Sequence, residues 1–139
     1  MPEHQTLLAF DWGLKHIGVA VGNTLSRSPQ ALTTLQAKDG IPNWEEIKTL
    51  LDEWRPARLV LGEPFNMDGT PTALRTRVKK FGNRLHGRFG LPVDYVDERL
   101  SSVEAKTRLS ERGHRGDYRK APADAMAAVV ILEDYFASL

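Results

Sequence analysis

Leu7-Leu8-Ala9-Phe10-Asp11-Trp12-Gly13 is the stretch on which the fold turns. Four apolar residues in a row are the length of a short buried strand, and the glycine two places after the acid permits an immediate turn. A strand that ends in Asp11 presents a charge at the edge of its sheet. Working outward, Ile17-Gly18-Val19-Ala20-Val21-Gly22 reads as the returning strand of a hairpin, with a third strand over Ala31 to Leu35. Asn43 stands three residues before Glu46 and ahead of Ile47, Leu50, Leu51 and Trp54 at helical spacing, which predicts a capped helix over Trp44 to Trp54.

Arg58 to Leu61 reads as a buried strand broken by Gly62-Glu63-Pro64, followed by a loop through Asn66-Met67-Asp68-Gly69. The next helix carries Leu74, Val78, Phe81 and Leu85 on one face, with Arg75, Lys79, Lys80, Arg84 and Arg88 around the others. Pro92 to Val96 is a further strand. Ser101-Ser102-Val103-Glu104 is a capping box opening a helix to about Arg112, Gly113 to Ala121 is a basic loop, and Pro122 is placed to begin a last helix. The order βββαβαβα predicts an α/β fold with a mixed sheet.

The totals bound the answer. A chain of 139 residues holds one domain with a full core and is short for two. It has no cysteine, so neither disulfides nor thiolate metal sites are available, and a reducing compartment suits it. The apolar run ending at Leu132, the longest in the chain, falls well short of the roughly 20 residues that span a bilayer. The segment Met1-Pro2-Glu3-His4-Gln5 lacks a secretory pattern, so the expectation is a cytoplasmic protein without a membrane partner. Net charge is only +1, but Arg75 to Lys120 contains 13 Lys/Arg against 6 Asp/Glu, a balance of +7, and the remainder balances at −6. Such a basic segment attracts phosphates although the whole is nearly neutral.

Three acids occupy constrained places: Asp11 at a strand end, Glu98 just after the strand ending at Val96, and Asp124 at the start of the last helix. Each alone has an ordinary explanation. Asp124 would complement a helix dipole for about 0.3–1 kcal/mol, and the other two would serve as solvated turn residues. Together they suggest a metal-ion site, provided the strand ends at Asp11 and Val96 lie side by side with the last helix across the same edge.

Four ordered blocks then carry a resemblance that runs nearly end to end: Ala9-Phe10-Asp11-Trp12-Gly13 with Ile17-Gly18-Val19-Ala20; Gly62-Glu63-Pro64-Phe65-Asn66-Met67-Asp68-Gly69; Asp97-Glu98-Arg99-Leu100-Ser101-Ser102-Val103-Glu104-Ala105; and Lys120 with Asp124-Ala125-Met126-Ala127-Ala128. The sequence resembles the YqgF (RuvX) family of the ribonuclease H-like superfamily, related to Holliday-junction resolvases and linked to nuclease processing of pre-16S ribosomal RNA. The resemblance implies a single ribonuclease H-like domain over residues 1–139, with a mixed central sheet of about five strands flanked by helices. It also implies that Asp11, Glu98 and Asp124 are catalytic, metal-binding carboxylates. An all-oxygen donor set suits Mg²⁺ or Mn²⁺ rather than Zn²⁺, and a pair of such ions activates water for in-line displacement at a phosphodiester.

Lys15, Asn66, Lys79, Lys80, Arg99, Ser101, Ser102 and Lys120 are the candidates for contacting a nucleic-acid backbone. Their bland alternatives are helix capping for the serines, a turn for Asn66 and solvated charge for the lysines. Two departures from the family pattern stand out: Glu63 where an apolar residue is usual between Gly62 and Pro64, and Trp12 in place of Phe. Glu63 is thus a possible crowding or supplementing acid. Three acids match, where many ribonuclease H-like nucleases use four.

The partner expected is therefore structured RNA, and the activity pre-16S rRNA processing in ribosome biogenesis. Branched DNA cut by a junction resolvase is the alternative, and a binding protein that kept the acids without catalysis is a reading of another class. An actin- or sugar-kinase-like phosphotransferase also begins with Asp-x-Gly, but needs a second lobe for which this chain has no room.

Overall fold

The computed structural model describes residues 4–64, 68, 70, 72–97 and 123–139, with the side chains of Ala123 and Asp124 left aside. Thr6–Asp11 (β1), His16–Asn23 (β2) and Gln30–Lys38 (β3) form an antiparallel meander, closed at its edge by the two-residue strand Ile41–Pro42 (β4). Helix Trp44–Trp54 (α1) leads into Arg58–Glu63 (β5), helix Ala73–Phe89 (α2) into Val93–Asp97 (β6), and Ala123–Ala137 (α3) ends the chain. The sheet order is β4-β3-β2-β1-β5-β6, with β5 parallel to β1 and β6 parallel to β5.

Strand alternation sorts the apolar residues into two cores. Leu8 and Phe10 of β1, Val19 and Val21 of β2, and Leu59 and Leu61 of β5 meet Ile47 and Leu51 of α1 and Val78, Phe81 and Leu85 of α2. Leu7, Ala9, Ala20 and Val60 meet Met126, Ala128, Val129, Ile131, Leu132 and Phe136 of α3 on the other face. Because β1 is covered on both sides, its sequence is a continuous apolar run rather than an alternation. Truncating a fully buried residue such as Ile131 to alanine would cost about 2–5 kcal/mol.

The helix over Trp44 to Trp54 has the expected bounds. Asn43 Oδ1 accepts from the Glu45 backbone N–H at 3.0 Å, and Arg55 closes the helix with φ 46°. Elsewhere the structure corrects the sequence reading. Gly62-Glu63 does not break β5: it extends the strand, because Gly62 and Glu63 pair with Val96 and Asp97. Leu74 is 42% exposed and lies off the buried stripe of α2, which runs through Val78, Phe81, Gly82 and Leu85. At that first turn Arg75, not Leu74, reaches back to the sheet. The strand ends at Asp11 and Val96 are not adjacent either, since β5 lies between β1 and β6. The helix expected from Ser101 to about Arg112, the loop to Ala121, and Pro122 fall outside the described residues.

Candidate active site and adjoining basic cleft

Asp11 is the last residue of β1, and the strand period places it with Leu7 and Ala9 on the α3 face. Its antiparallel partner on β2 is Gly18. On the other side, Phe10 pairs with Leu61, so the next step of the parallel register sets Asp11 level with Gly62. The carboxylate therefore stands between two positions that have no side chain, in a notch at the carboxyl ends of β1 and β5. Gly62 in turn pairs with Val96 of β6, which carries the same level one strand further. Gly13 has its own reason: a Cβ there would lie 2.7 Å from the His16 carbonyl oxygen, so the tight β1–β2 turn demands glycine.

The course of α3 is anchored at its C-terminal end. A Cβ on Gly22, which pairs with Leu7 at the start of β1, would lie 3.0 Å from the Phe136 ring, so the end of α3 crosses the opposite end of the strands. Tyr135, one residue earlier, donates from its hydroxyl to Asp94 Oδ2 (2.6 Å) on β6, level with Ala9 of β1. Twelve residues back along the helix, at 1.5 Å each, is about 18 Å, enough to carry the first turn of α3 to the edge where β1 ends. Asp124 is the second residue of that turn. Glu98 directly follows the last residue of β6 and lies outside the described residues, so among the described side chains no group of three potential ligands is complete.

Glu63 faces the other way. It alternates with Gly62 onto the α2 side, where its Oε2 lies 2.8 Å from Lys79 Nζ and 3.3 Å from Arg75 Nε, ion pairs rather than aligned hydrogen bonds. Lys79 Nζ also sits 3.8 Å from the centroid of the Tyr95 ring. The Tyr95 phenol is held above its ordinary range, first by burial and then by the negative charge of Glu63. Glu63 therefore neither crowds nor supplements Asp11: it ties β5 to α2.

Trp12 follows Asp11 onto the α2 face and fixes the turn beside it. Its Nε1 donates to the Gly40 carbonyl (2.9 Å), and the Arg77 guanidinium lies 5.6 Å from its ring. Gly40 has φ +80°, and a Cβ there would overlap the indole, so the residue is glycine on two counts. Arg77 Nη2 donates to the Asp39 carbonyl at 2.9 Å and pairs with Asp39 Oδ1 at 3.2 Å. Trp12, Asp39, Gly40, Ile41, Arg77, Lys80, Phe81 and Arg84 enclose an open cleft of about 160 Å³.

Of the expected backbone contacts, Lys15 is exposed on the turn four residues after Asp11, and Lys80 is exposed on the cleft. Lys79 is engaged by Glu63 and Tyr95. Asn66, Arg99, Ser101, Ser102 and Lys120 lie outside the described residues. The sequence reading passed over Trp12, Arg77 and Arg84 as parts of one surface. The i, i+3, i+7 spacing of Arg77, Lys80 and Arg84 was the available signal.

Comparison with known proteins follows the same lines. A family model described as "RuvX: Holliday junction resolvase" matches residues 5–138. A protein of Saccharophagus degradans called "Putative pre-16S rRNA nuclease" is 52% identical over 132 residues, covering 95% of this chain and 93% of the relative. One of Chromohalobacter salexigens with the same name is 54% identical over 131 residues, covering 94% and 88%. Among solved structures, Thermus thermophilus RuvC in complex with a Holliday junction substrate superposes with a TM-score of 0.59 at 18% identity, covering 96% of this chain and 94% of that one. The fowlpox virus Holliday junction resolvase gives 0.58 at 15%, covering 96% and 98%. At these identities the structural matches speak for the fold, a resolvase-type ribonuclease H-like α/β sheet.

Proposed function

This chain belongs to the RuvX family, and from that premise we propose that it is a metal-dependent nuclease that hydrolyses phosphodiester bonds in structured nucleic acid, with pre-16S ribosomal RNA as its substrate. The observation that carries the reading is Asp11 at the end of β1 between Gly18 and Gly62. Glycine on either side leaves room for a bulky phosphodiester to approach the carboxylate. Glu98, one residue beyond β6, and Asp124, in the first turn of α3, are the acids that would complete the set.

The donors fit a hard cation: they are carboxylate oxygens, the chain has no thiolate, and nothing about them favours a softer metal. Asp11, Glu98 and Asp124 would hold Mg²⁺ or Mn²⁺, and a pair of such ions about 3.5–4 Å apart would supply the charge that activates water and stabilises the departing oxygen. The protein's own part is placement. A strand end fixes Asp11 more firmly than a loop would, and the glycine turn anchored by Trp12 holds Lys15 beside it as a phosphate contact. Acting in ribosome biogenesis, the enzyme would work in the cytoplasm.

The test compares purified protein on a pre-16S rRNA fragment and on a four-way DNA junction, with Mg²⁺ or Mn²⁺ and with excess chelator. Metal-dependent cleavage of the RNA, lost in Asp11→Asn, is expected. Cleavage of the junction alone would favour the resolvase alternative. Tight binding with no cleavage of either would favour a non-catalytic binding protein.

A further inference from the structure

We propose that the cleft between α2 and the β3–β4 turn is a second nucleic-acid subsite, which grips the sugar-phosphate backbone of a substrate segment flanking the one at Asp11. The inference rests on the nuclease reading and extends it to the opposite face of the sheet.

Arg77, Lys80 and Arg84 stand at i, i+3 and i+7 on α2 and so form one stripe along the wall of the cleft. Their situations differ. Arg77 is held by Asp39 and by the Trp12 ring, which makes it part of the wall and offsets the single acid lining the cleft. Lys80 and Arg84 are exposed and have no carboxylate partner among the described residues. Two cations without a carboxylate partner among the described residues, beside a neutralised acid, leave an open cleft with net positive charge. That geometry suits a chain of phosphates rather than an enclosed small anion.

The position of the cleft gives this charge a role. Trp12 forms part of the cleft and Asp11 is the neighbouring residue, so their Cα atoms are about 3.8 Å apart while their side chains go to opposite faces. A strand lying across the carboxyl end of β1 would meet the carboxylate on one face and the basic stripe on the other. Trp12 couples the two places, because its indole is pinned to Gly40 and leaves the β1–β2 turn little freedom.

The test measures the salt dependence of binding to a structured pre-16S rRNA fragment and to a four-way DNA junction, in Ca²⁺ to hold back hydrolysis. Lys80→Gln/Arg84→Gln should bind more weakly to whichever nucleic acid the parent prefers, with a log–log salt slope shallower by about 1.4–1.8, as for two lost phosphate contacts. Its melting temperature should match the parent's, because both side chains are exposed and have no carboxylate partner among the described residues. Arg27→Gln/Lys48→Gln removes the same charge elsewhere and should leave the slope nearly unchanged. An unaltered slope in the α2 pair, or an equal change in both pairs, would overturn the subsite, while cleavage by the parent would leave the nuclease reading standing. A cleft-dependent slope in a protein that cuts neither substrate would do the reverse. A parent that bound neither nucleic acid would overturn both.

Discussion

Asp11 and Glu63 are both acids at the carboxyl ends of neighbouring parallel strands, one residue out of step, and that single step sends them to different chemistry. Asp11 lies on the α3 face between two glycines. Glu63 lies on the α2 face with two cations within 3.3 Å. A strand-end carboxylate is thus defined less by its charge than by the parity of its position and by what the facing helix offers. Helix α2 brings arginine and lysine to its face of the edge. On the other side α3 begins, with Asp124 as the second residue of its first turn.

The largest effect expected from breaking this contrast is on activity. Asp11→Asn should lower the hydrolysis rate by at least about a thousandfold in a single-turnover assay, with an unchanged circular dichroism spectrum, because it removes ligand charge without changing shape. Next is the wall beside the site. Gly40→Ala should destabilise the fold by about 2–3 kcal/mol in urea denaturation, since alanine is strained at φ +80° and would displace Trp12.

Glu63→Gln should cost about 1 kcal/mol, a small figure because Lys79 and Arg75 are each about 40% exposed and partly screened. The same change should lower the Tyr95 pKa in an ultraviolet titration by removing the negative charge that helps raise it. An effect no larger is expected at the far end of the α3 face. Tyr135 is pushed up to about 12, mainly by burial and then by its hydrogen bond to Asp94, while Arg58 pulls the other way. A phenol that titrates later folded than unfolded contributes stability that is whole below pH 10 and is lost as pH rises from 10 toward 12. Tyr135→Phe should therefore lose about 1 kcal/mol at neutral pH and show a shallower alkaline fall in melting temperature than the parent.

Much of the frame was legible because local signals agreed. The run Leu7 to Phe10, the hairpin partner Ile17 to Gly22 and the Asn43 cap all appear where their residue types predict. Less legible was which strands lie side by side. The run ending at Leu61 carries nothing to say that it inserts between β1 and β6, and Gly-Glu-Pro reads as a breaker although pairing with Val96 and Asp97 overrides that tendency. Position along the chain likewise makes Glu63 look like one more acid near the site. Only the strand period, counted from buried Leu61, turns it toward α2. The glycine notch was present in the sequence as Gly18 and Gly62, but its meaning depends on register, which no single residue reveals.

The most direct test of the contrast is a melting-temperature titration with Mn²⁺ on the parent, Asp11→Asn and Glu63→Gln, without nucleic acid. Binding to the folded state alone raises stability by RT ln(1 + [L]/Kd), about 2.7 kcal/mol at a hundredfold excess over Kd. The parent and Glu63→Gln should gain the same upward shift from the metal, with Glu63→Gln starting lower, and Asp11→Asn should gain little or none. A full shift in Asp11→Asn together with a lost shift in Glu63→Gln would place the cation on the α2 face and contradict the account.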